Sequence, residues 1–180
     1  MESIRLANLN DATTILEIYS PYVLNTAISF EVEAPDFSEM QQRISENLKN
    51  FPWIVFEVDN SVVGYAYAAP FKSRSAYSWS VETTIYVKNS YLGKGIGKKL
   101  YADLLQRLKK QGVVNAIGGI SLPNEASVRL HESMGFNQVA QFKEVGFKLG
   151  KWWDVGYWQF QLQKPALPEP LQKLFHDESP

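Results

Sequence analysis

The sequence predicts one α/β domain, a central mixed β-sheet flanked by helices. Three observations carry this. Stretches of two-residue alternation and stretches of helical spacing follow one another as β-α-α-β-β-β-α-β-α-β-β, with no internal repeat. Two β-rich runs, at residues 53–58 and 62–68, are joined by Asp59-Asn60-Ser61, turn chemistry that makes an antiparallel hairpin. A short apolar run at 113–120, by contrast, reads as a buried strand of the kind parallel sheets use. At 180 residues the chain suits one domain and can bury roughly 70% of its unfolded surface.

Each element has its own signal. Residues 3–7 alternate Ile4 and Leu6 with polar neighbours, a short strand. Asp11 is placed to cap a helix carrying Ile15, Ile18, Tyr19 and Tyr22, which Pro21 should kink or split. Residues 26–33 read as a turn into a short extended piece. Pro35 and Asp36 open a second helix, with Phe37, Met40, Ile44 and Leu48 on one stripe. After the hairpin come a polar, aromatic loop at 70–79 and the central strand at 80–87. A helix over residues 97–111 aligns Leu100, Leu104 and Leu108 and stops at Gly112. Residues 124–134 form a helix entered after Pro123 and ended by Gly135. The final strands, 138–147 and 152–162, are joined through Gly150. The domain therefore covers residues 1–163. Residues 164–180, with Pro165, Pro168 and Pro170, are a tail draped on the surface or disordered.

Composition excludes several function classes. Apolar residues make up 45% and charged residues 21%, values ordinary for soluble domains. A net charge of −1 gives no footprint for nucleic acid. The chain has no cysteine, which rules out disulfides, cysteine nucleophiles and thiolate metal sites and suits a reducing cytoplasm. His131 and His176 are not at metal-ligand spacing, so no metal is expected. The N-terminus lacks the apolar core of a signal peptide. No apolar run approaches the ~20 residues of a membrane span.

The most informative stretch is TTIYVKNSYLGKGIGK, residues 83–98. A β-rich run passes into a loop in which Gly93, Gly95 and Gly97 alternate with other residues, and an amphipathic helix follows. Such a turn offers unpaired N–H groups and a dipole's positive end to phosphates; an ordinary tight turn would read the same. A dinucleotide fingerprint needs glycines at i, i+2 and i+5, but Lys98 or Leu100 holds the third place. A P-loop needs glycine five residues before Gly-Lys, where Leu92 or Lys88 stands.

Other residues could carry chemistry nearby. Glu82 shares a strand face with Ser80, Thr84 and Tyr86, just upstream of the loop. Turned inward it would be a general base with a raised pKa; turned outward, an ordinary surface carboxylate. Asn124 is a good helix N-cap. His131 could move a proton near neutral pH or simply pack beside Leu130. In the 70–79 loop, Arg74 could hold an anionic group bidentately and Lys72 could add a point charge, amid aromatics including Tyr77. Phe30 and Glu31 could wall the same pocket. With no cysteine and no evident Ser–His pair, a covalent intermediate is not expected.

The alternating glycine loop between strand and helix resembles the pyrophosphate loop of the GNAT superfamily of N-acetyltransferases, and the element order resembles that fold from end to end. Asn124-Glu125-Ala126-Ser127, followed by Gly135-Phe136, resembles the family's second signature. Three stretches narrow the resemblance: FKSRSAYSWSVETTIYV (71–87), LPNEASVRLHESMGF (122–136) and VGFKLGKWWDVGYWQ (145–159). They are similar to the phosphinothricin and methionine-sulfoximine acetyltransferase branch, as are TAISFE (26–31) and the Pro-rich end. The resemblance implies acetyl-CoA as cofactor, the α-amine of a small L-amino acid or analogue as acceptor, and a homodimer. It assigns Glu82 as base and places His131 where many relatives carry the Tyr that protonates the leaving thiolate. It implies cofactor contacts from Ile85, Tyr86, Val87, Gly93, Lys94, Gly95, Ile96, Gly97, Lys98 and Asn124. Phe30, Glu31, Lys72, Arg74 and Tyr77 would face the acceptor. Leu92 departs from the family, which has Gln or Arg there. The alternatives are a protein N-terminal or polyamine acetyltransferase, against which the Lys72/Arg74 loop argues, and a non-catalytic CoA-binding sensor, against which Glu82 argues.

Overall fold

The computed structural model describes residues 1–174. Its elements are β1 (Glu2–Leu6), α1 (Ala12–Asn25), α2 (Phe37–Leu48), β2 (Trp53–Val58), β3 (Ser61–Pro70), β4 (Ser80–Val87), α3 (Ile96–Gln111), β5 (Asn115–Leu122), α4 (Glu125–Ser133), β6 (Asn137–Lys148) and β7 (Lys151–Gln161). The expected order of elements holds throughout. The strands form one sheet in the order β1-β2-β3-β4-β5-β7-β6. Neighbours pair antiparallel except β4 and β5, which run parallel. β5 thus has a parallel neighbour on one side and an antiparallel one, β7, on the other.

Two-residue alternation sends each central strand's side chains to two cores. Ile54, Phe56, Ala66, Ala68 and Val81 meet Leu100, Leu104 and Leu108 of α3 on one face. Trp53, Val55, Tyr65 and Tyr86 meet Ile15, Ile18, Tyr19, Met40 and Ile44 of α1 and α2 on the other. The hairpin turns on Asp59 and Asn60, with φ of 49° and 62°, the left-handed pair a two-residue loop requires.

Several local expectations are corrected. Asp11 makes no capping bond to α1. Its carboxylate accepts from Arg5 at 2.7 and 2.8 Å, while Asn8 caps the short turn before the helix. Pro21 does not split α1, which continues to Asn25. Pro21 lies on the outer side with exposed Glu17, where the carbonyl left without a partner stays near water. Phe37 is 47% exposed and outside the core stripe. Residues 26–33 form no strand; they are a bent segment stitched by side chains. Thr26 Oγ1 donates to Tyr22 O at 2.6 Å and accepts from Ile28 N at 3.1 Å. The tail lies on the surface as far as it is described: Trp79 Nε1 donates to Glu169 O at 2.7 Å, and Leu171 packs on the α3-side core. Residues 175–180 of the expected tail, His176 included, lie outside the described residues.

Candidate active site

The site grows out of a pairing that stops. β4 and β5 are in register only from Ser80–Asn115 to Glu82–Ile117, after which they diverge. On its other edge β4 stays paired to β3 through Val87. Antiparallel ladders alternate bonded and non-bonded pairs. Lys88 N donates to Val63 O and Phe71 N to Ser80 O, which makes the even-numbered residues of β4 those bonded to β3. The N–H and C=O groups of Ile85 and Val87 therefore face the gap. Tyr22 of α1 donates its hydroxyl to Val87 O at 2.5 Å, satisfying one of them.

Two cavities meet along this gap. One, of about 480 Å³, is a groove lined by Val87, Leu92, Gly93, Ile96, Lys98 and Arg129 among others. Gly93 and Gly95 have φ of 74° and 78°, with nothing within 4 Å of where a Cβ would stand. Gly95 caps α3, so the helix's first N–H groups open into the groove. The loop is an open anion cradle with Lys94 and Lys98 beside it, and a pyrophosphate-bearing group fits it. Exposed Leu92 adds apolar wall there and no polar contact.

The second cavity, of about 460 Å³, is lined by Phe30, Glu82, Thr84, Phe142, Val145 and Tyr157 among others. Ile28, Ile85, Tyr86, Asn124 and Ser127 line both, so the cavities are continuous. Glu82 is half-buried in the wall of this second cavity, on the strand whose Ile85 and Tyr86 line both. A Cβ on Gly119 of β5 would stand 3.2 Å from its Oε1 and 3.5 Å from Tyr157 Cε1. Burial raises the Glu82 pKa, and the charge of Lys72 opposes the rise. Phe142 and Val145 reach the cavity around an irregularity in β6. Asp154 of β7 pins it, accepting from Glu144 N at 2.9 Å, Lys143 Nζ at 2.7 Å and Gln141 Nε2 at 3.0 Å. Hydrogen bonds from Lys143 and Glu144 hold its pKa below the usual carboxylate value.

Beneath the gap lies a buried polar chain. His131 of α4 is 3% exposed. Its Nδ1 is 2.8 Å from Ser127 O and its Nε2 2.9 Å from Tyr101 Oη. A carbonyl can only accept, so Nδ1 carries the proton and, with burial lowering the pKa, Nε2 accepts from Tyr101. Thr83 Oγ1 donates to Ile117 O at 3.3 Å, at the last paired position of the two strands.

The structure brings Glu82, Ile85, Tyr86, Val87, Gly93, Gly95, Ile96, Gly97, Lys98, Asn124 and Phe30 to the two cavities, while Lys94 lines neither and lies over the ring of Tyr91 at 4.5 Å. Asn124 also caps α4, its Oδ1 accepting from Ser127 N at 3.1 Å. Other expected residues lie elsewhere. Glu31 is engaged by Arg43 of α2 at 2.6 and 3.2 Å. Lys72 and Arg74 line a separate cavity shared with Leu171 and Gln172 of the tail. Exposed Tyr77 packs its ring edge-on to Phe71. His131 lines the second cavity, but its one N–H is committed to Ser127 O. Tyr22, Tyr101 and Tyr157 went unread because each reaches the site from another element, and no local pattern marks them.

Three comparisons bear on what such a site does. Residues 4–156 match the family described as Acetyltransferase (GNAT) domain. A phosphinothricin N-acetyltransferase of Streptomyces viridochromogenes is 37% identical over 171 residues, 95% of this chain and 93% of that protein. An L-methionine sulfoximine/L-methionine sulfone acetyltransferase of Salmonella typhimurium is 34% identical over 93% of this chain and 98% of that protein. The solved structure of a phosphinothricin acetyltransferase from Sinorhizobium meliloti, in complex with AcCoA, superposes with a TM-score of 0.90. It is 34% identical and covers 98% of this chain and 97% of that one.

Proposed function

The chain belongs to the GNAT acetyltransferase family, and we propose that it acetylates the α-amine of a small L-amino acid or analogue of the phosphinothricin or methionine sulfoximine/sulfone type. The observation that carries this reading is the position of Glu82. Its carboxylate stands over Gly119 in the wall of the second cavity, on the strand whose Ile85 and Tyr86 line both cavities, with a pKa raised by burial. The groove of the Gly93–Lys98 loop would hold acetyl-CoA, with Asn124 and the free edge of β4 along its arm. Acetyl-CoA, when bound, supplies an activated acyl carbon. Glu82 takes a proton from the acceptor ammonium, directly or through a water, and leaves a free amine. The N–H of Val87, directed into the gap, is a donor for the developing oxyanion. Val87 O, the other group on that residue, is already committed to Tyr22.

His131 enters this scheme as support. It is neutral, its N–H is held by Ser127 O, and it fixes the Tyr101 hydroxyl below the gap. That departs from the acid role its sequence position suggests. Lys72 acts on Glu82 through its charge.

The active unit in this reading is a homodimer in the cytoplasm. β6 is an edge strand carrying exposed Val139, Phe142, Val145 and Phe147, continued by Leu149 and Trp152 at the turn into β7. So large an apolar face on an edge strand needs a cover. Phe142 and Val145 make it continuous with the acceptor cavity, which favours a second copy as that cover. No helix among the described residues is long and apolar enough to cross a membrane. A chain free of cysteine suits a reducing compartment.

The test is release of free CoA across a panel of L-amino acids, methionine sulfone, polyamines and N-terminal peptides. Small amino-acid analogues should lead the panel, and Glu82→Gln should lower turnover on them about 10²–10⁴-fold. Peptide activity above that on free amino acids would overturn the acceptor class. Near-wild-type turnover of the variant would overturn the base.

A further inference from the structure

Lys148 ends β6 and is 6% exposed, one of the few buried charged side chains among the described residues. Its Nζ donates to Val23 O at 2.5 Å and to Ser29 O at 2.7 Å. Val23 lies in the last turn of α1, where helix carbonyls lack partners and carry the negative end of the dipole. α1 has no basic residue of its own in that turn. Lys148 supplies the missing cation from a strand 125 residues away.

The second carbonyl is the more telling. Ser29 sits in the bent segment of residues 26–31, and Ile28, Ser29 and Phe30 all line the acceptor-side cavity. The segment is tied to three elements. Tyr19 of α1 holds the Ser29 hydroxyl at 2.8 Å, Arg43 of α2 holds Glu31, and Lys148 of β6 holds the Ser29 carbonyl. The tie to β6 has a second part. Gly146 lies under the ring of Phe30, so close that a Cβ there would stand 2.5 Å from Phe30 Cζ. Gly146 and Lys148, two residues apart, thus seat Phe30 and Ser29 on β6.

We propose that Lys148 is a positioning residue for the acceptor: with Gly146 it latches the residue 26–31 segment onto β6 and so sets the cavity wall that the acceptor meets. The inference rests on the reading of that cavity as the acceptor site. The segment has no regular secondary structure, so without the latch its backbone has no ladder to return to. The groove of the Gly93–Lys98 loop shares only Ile28 with the segment. Loss of the latch therefore falls on acceptor binding far more than on acetyl-CoA binding.

The experiment compares steady-state kinetics and melting of Lys148→Met, Lys148→Arg, Gly146→Ala, Phe30→Leu, Gly146→Ala/Phe30→Leu and Glu82→Gln, with methionine sulfone as the varied acceptor. Lys148→Met should raise the acceptor KM about tenfold or more, with kcat and the acetyl-CoA KM within about threefold of wild type. Lys148→Arg, which keeps the charge and the donors, should recover most of that loss. Gly146→Ala should reproduce the acceptor KM rise without touching Lys148, and in a Phe30→Leu background, itself measured alone because Phe30 lines the cavity, the smaller side chain should shrink the rise that Gly146→Ala adds. A folded Lys148→Met with unchanged acceptor KM, or losses spread equally over both substrates, overturns the latch. If Lys148→Met does not fold, Gly146→Ala and its double variant decide by the same criteria. Glu82→Gln separates the two claims: near-wild-type turnover there removes the cavity assignment itself, whereas its collapse beside a silent Lys148→Met removes only the latch.

Discussion

Gly118→Ala is the sharpest probe of the polar chain under the gap. Gly118 lies in β5 at an ordinary strand conformation, so alanine brings no backbone strain. Its methyl, however, would stand 2.3 Å from His131 Nε2 and 2.6 Å from Cδ2. The imidazole has nowhere to retreat. It is held by Ser127 O and Tyr101 Oη, and it lies edge-on between the rings of Tyr101 and Phe136, both at 5.1 Å. Forcing a methyl into a packed core costs about 1–3 kcal/mol. Breaking the bond to Tyr101 leaves its buried hydroxyl only the longer 3.4 Å contact with Thr83 Oγ1, at about 1–3 kcal/mol more. The expected loss is about 2–6 kcal/mol, a large part of the roughly 5–15 kcal/mol of a typical domain. Urea unfolding with thermal melting measures it. Gly118→Ala/His131→Ala should be less destabilised than the sum of its singles, by about 0.5–3 kcal/mol, because the methyl enters space the ring has left. A Gly118→Ala protein within about 0.5 kcal/mol of wild type would refute both the contact and the packing it implies.

Three further outcomes are expected. Because a carboxylate is a base only when ionised, kcat/KM should rise with pH through the Glu82 pKa, at a midpoint above the ordinary value of 4.5. Lys72→Met should move that limb to higher pH by removing the charge that opposes the shift; an unmoved or lowered limb would separate Lys72 from Glu82. Leu92→Gln should place a polar group in the acetyl-CoA groove and lower the acetyl-CoA KM about 2–10-fold, the worth of one neutral hydrogen bond, while weaker binding would refute the geometry of the loop. Phe147→Asp should yield a monomer by light scattering, and a wild-type protein that is already monomeric would remove the assembly.

What was legible in the sequence was what is local. The pair Asp59-Asn60 marks a hairpin by its own conformational preference, and Gly112 marks a helix end the same way; both lie where expected. Leu100, Leu104 and Leu108 are fully buried, as their spacing requires. The glycine loop and Glu82 were readable for a related reason: strand alternation and loop spacing fix their relation within one stretch. What escaped depends on distant partners. Asp11 reads as a cap until Arg5, which also holds Glu57, is seen to draw it into an ion-pair cluster. Lys72, Arg74 and Tyr77 read as a pocket because they are neighbours in sequence. Whether a loop turns toward a cavity depends on what packs against it, and here the tail does. Lys148 and Gly146 have no signature at all, since their meaning lies in a segment more than a hundred residues upstream.

The site follows from one topological fact, that β4 and β5 form the only parallel pair among the described strands and hold it for three residue pairs. A parallel connection needs a crossover, which α3 provides, and the crossover delivers the N-terminus of α3 beside the end of β4. Past Glu82 the strands diverge, and every exposed backbone group in the gap must find a new partner or cost free energy. The Tyr22 hydroxyl takes Val87 O, and the Thr83 hydroxyl takes Ile117 O at the last register position. Tyr101 and His131 fill the floor. The groups left over are the N–H and C=O of Ile85, the N–H of Val87 and the N–H groups at the start of α3; the last two are donors that a thioester oxygen and a pyrophosphate can satisfy. A residue that wedges the gap open, such as Thr83 or Tyr22, therefore acts on the positions of these donors as well as on stability.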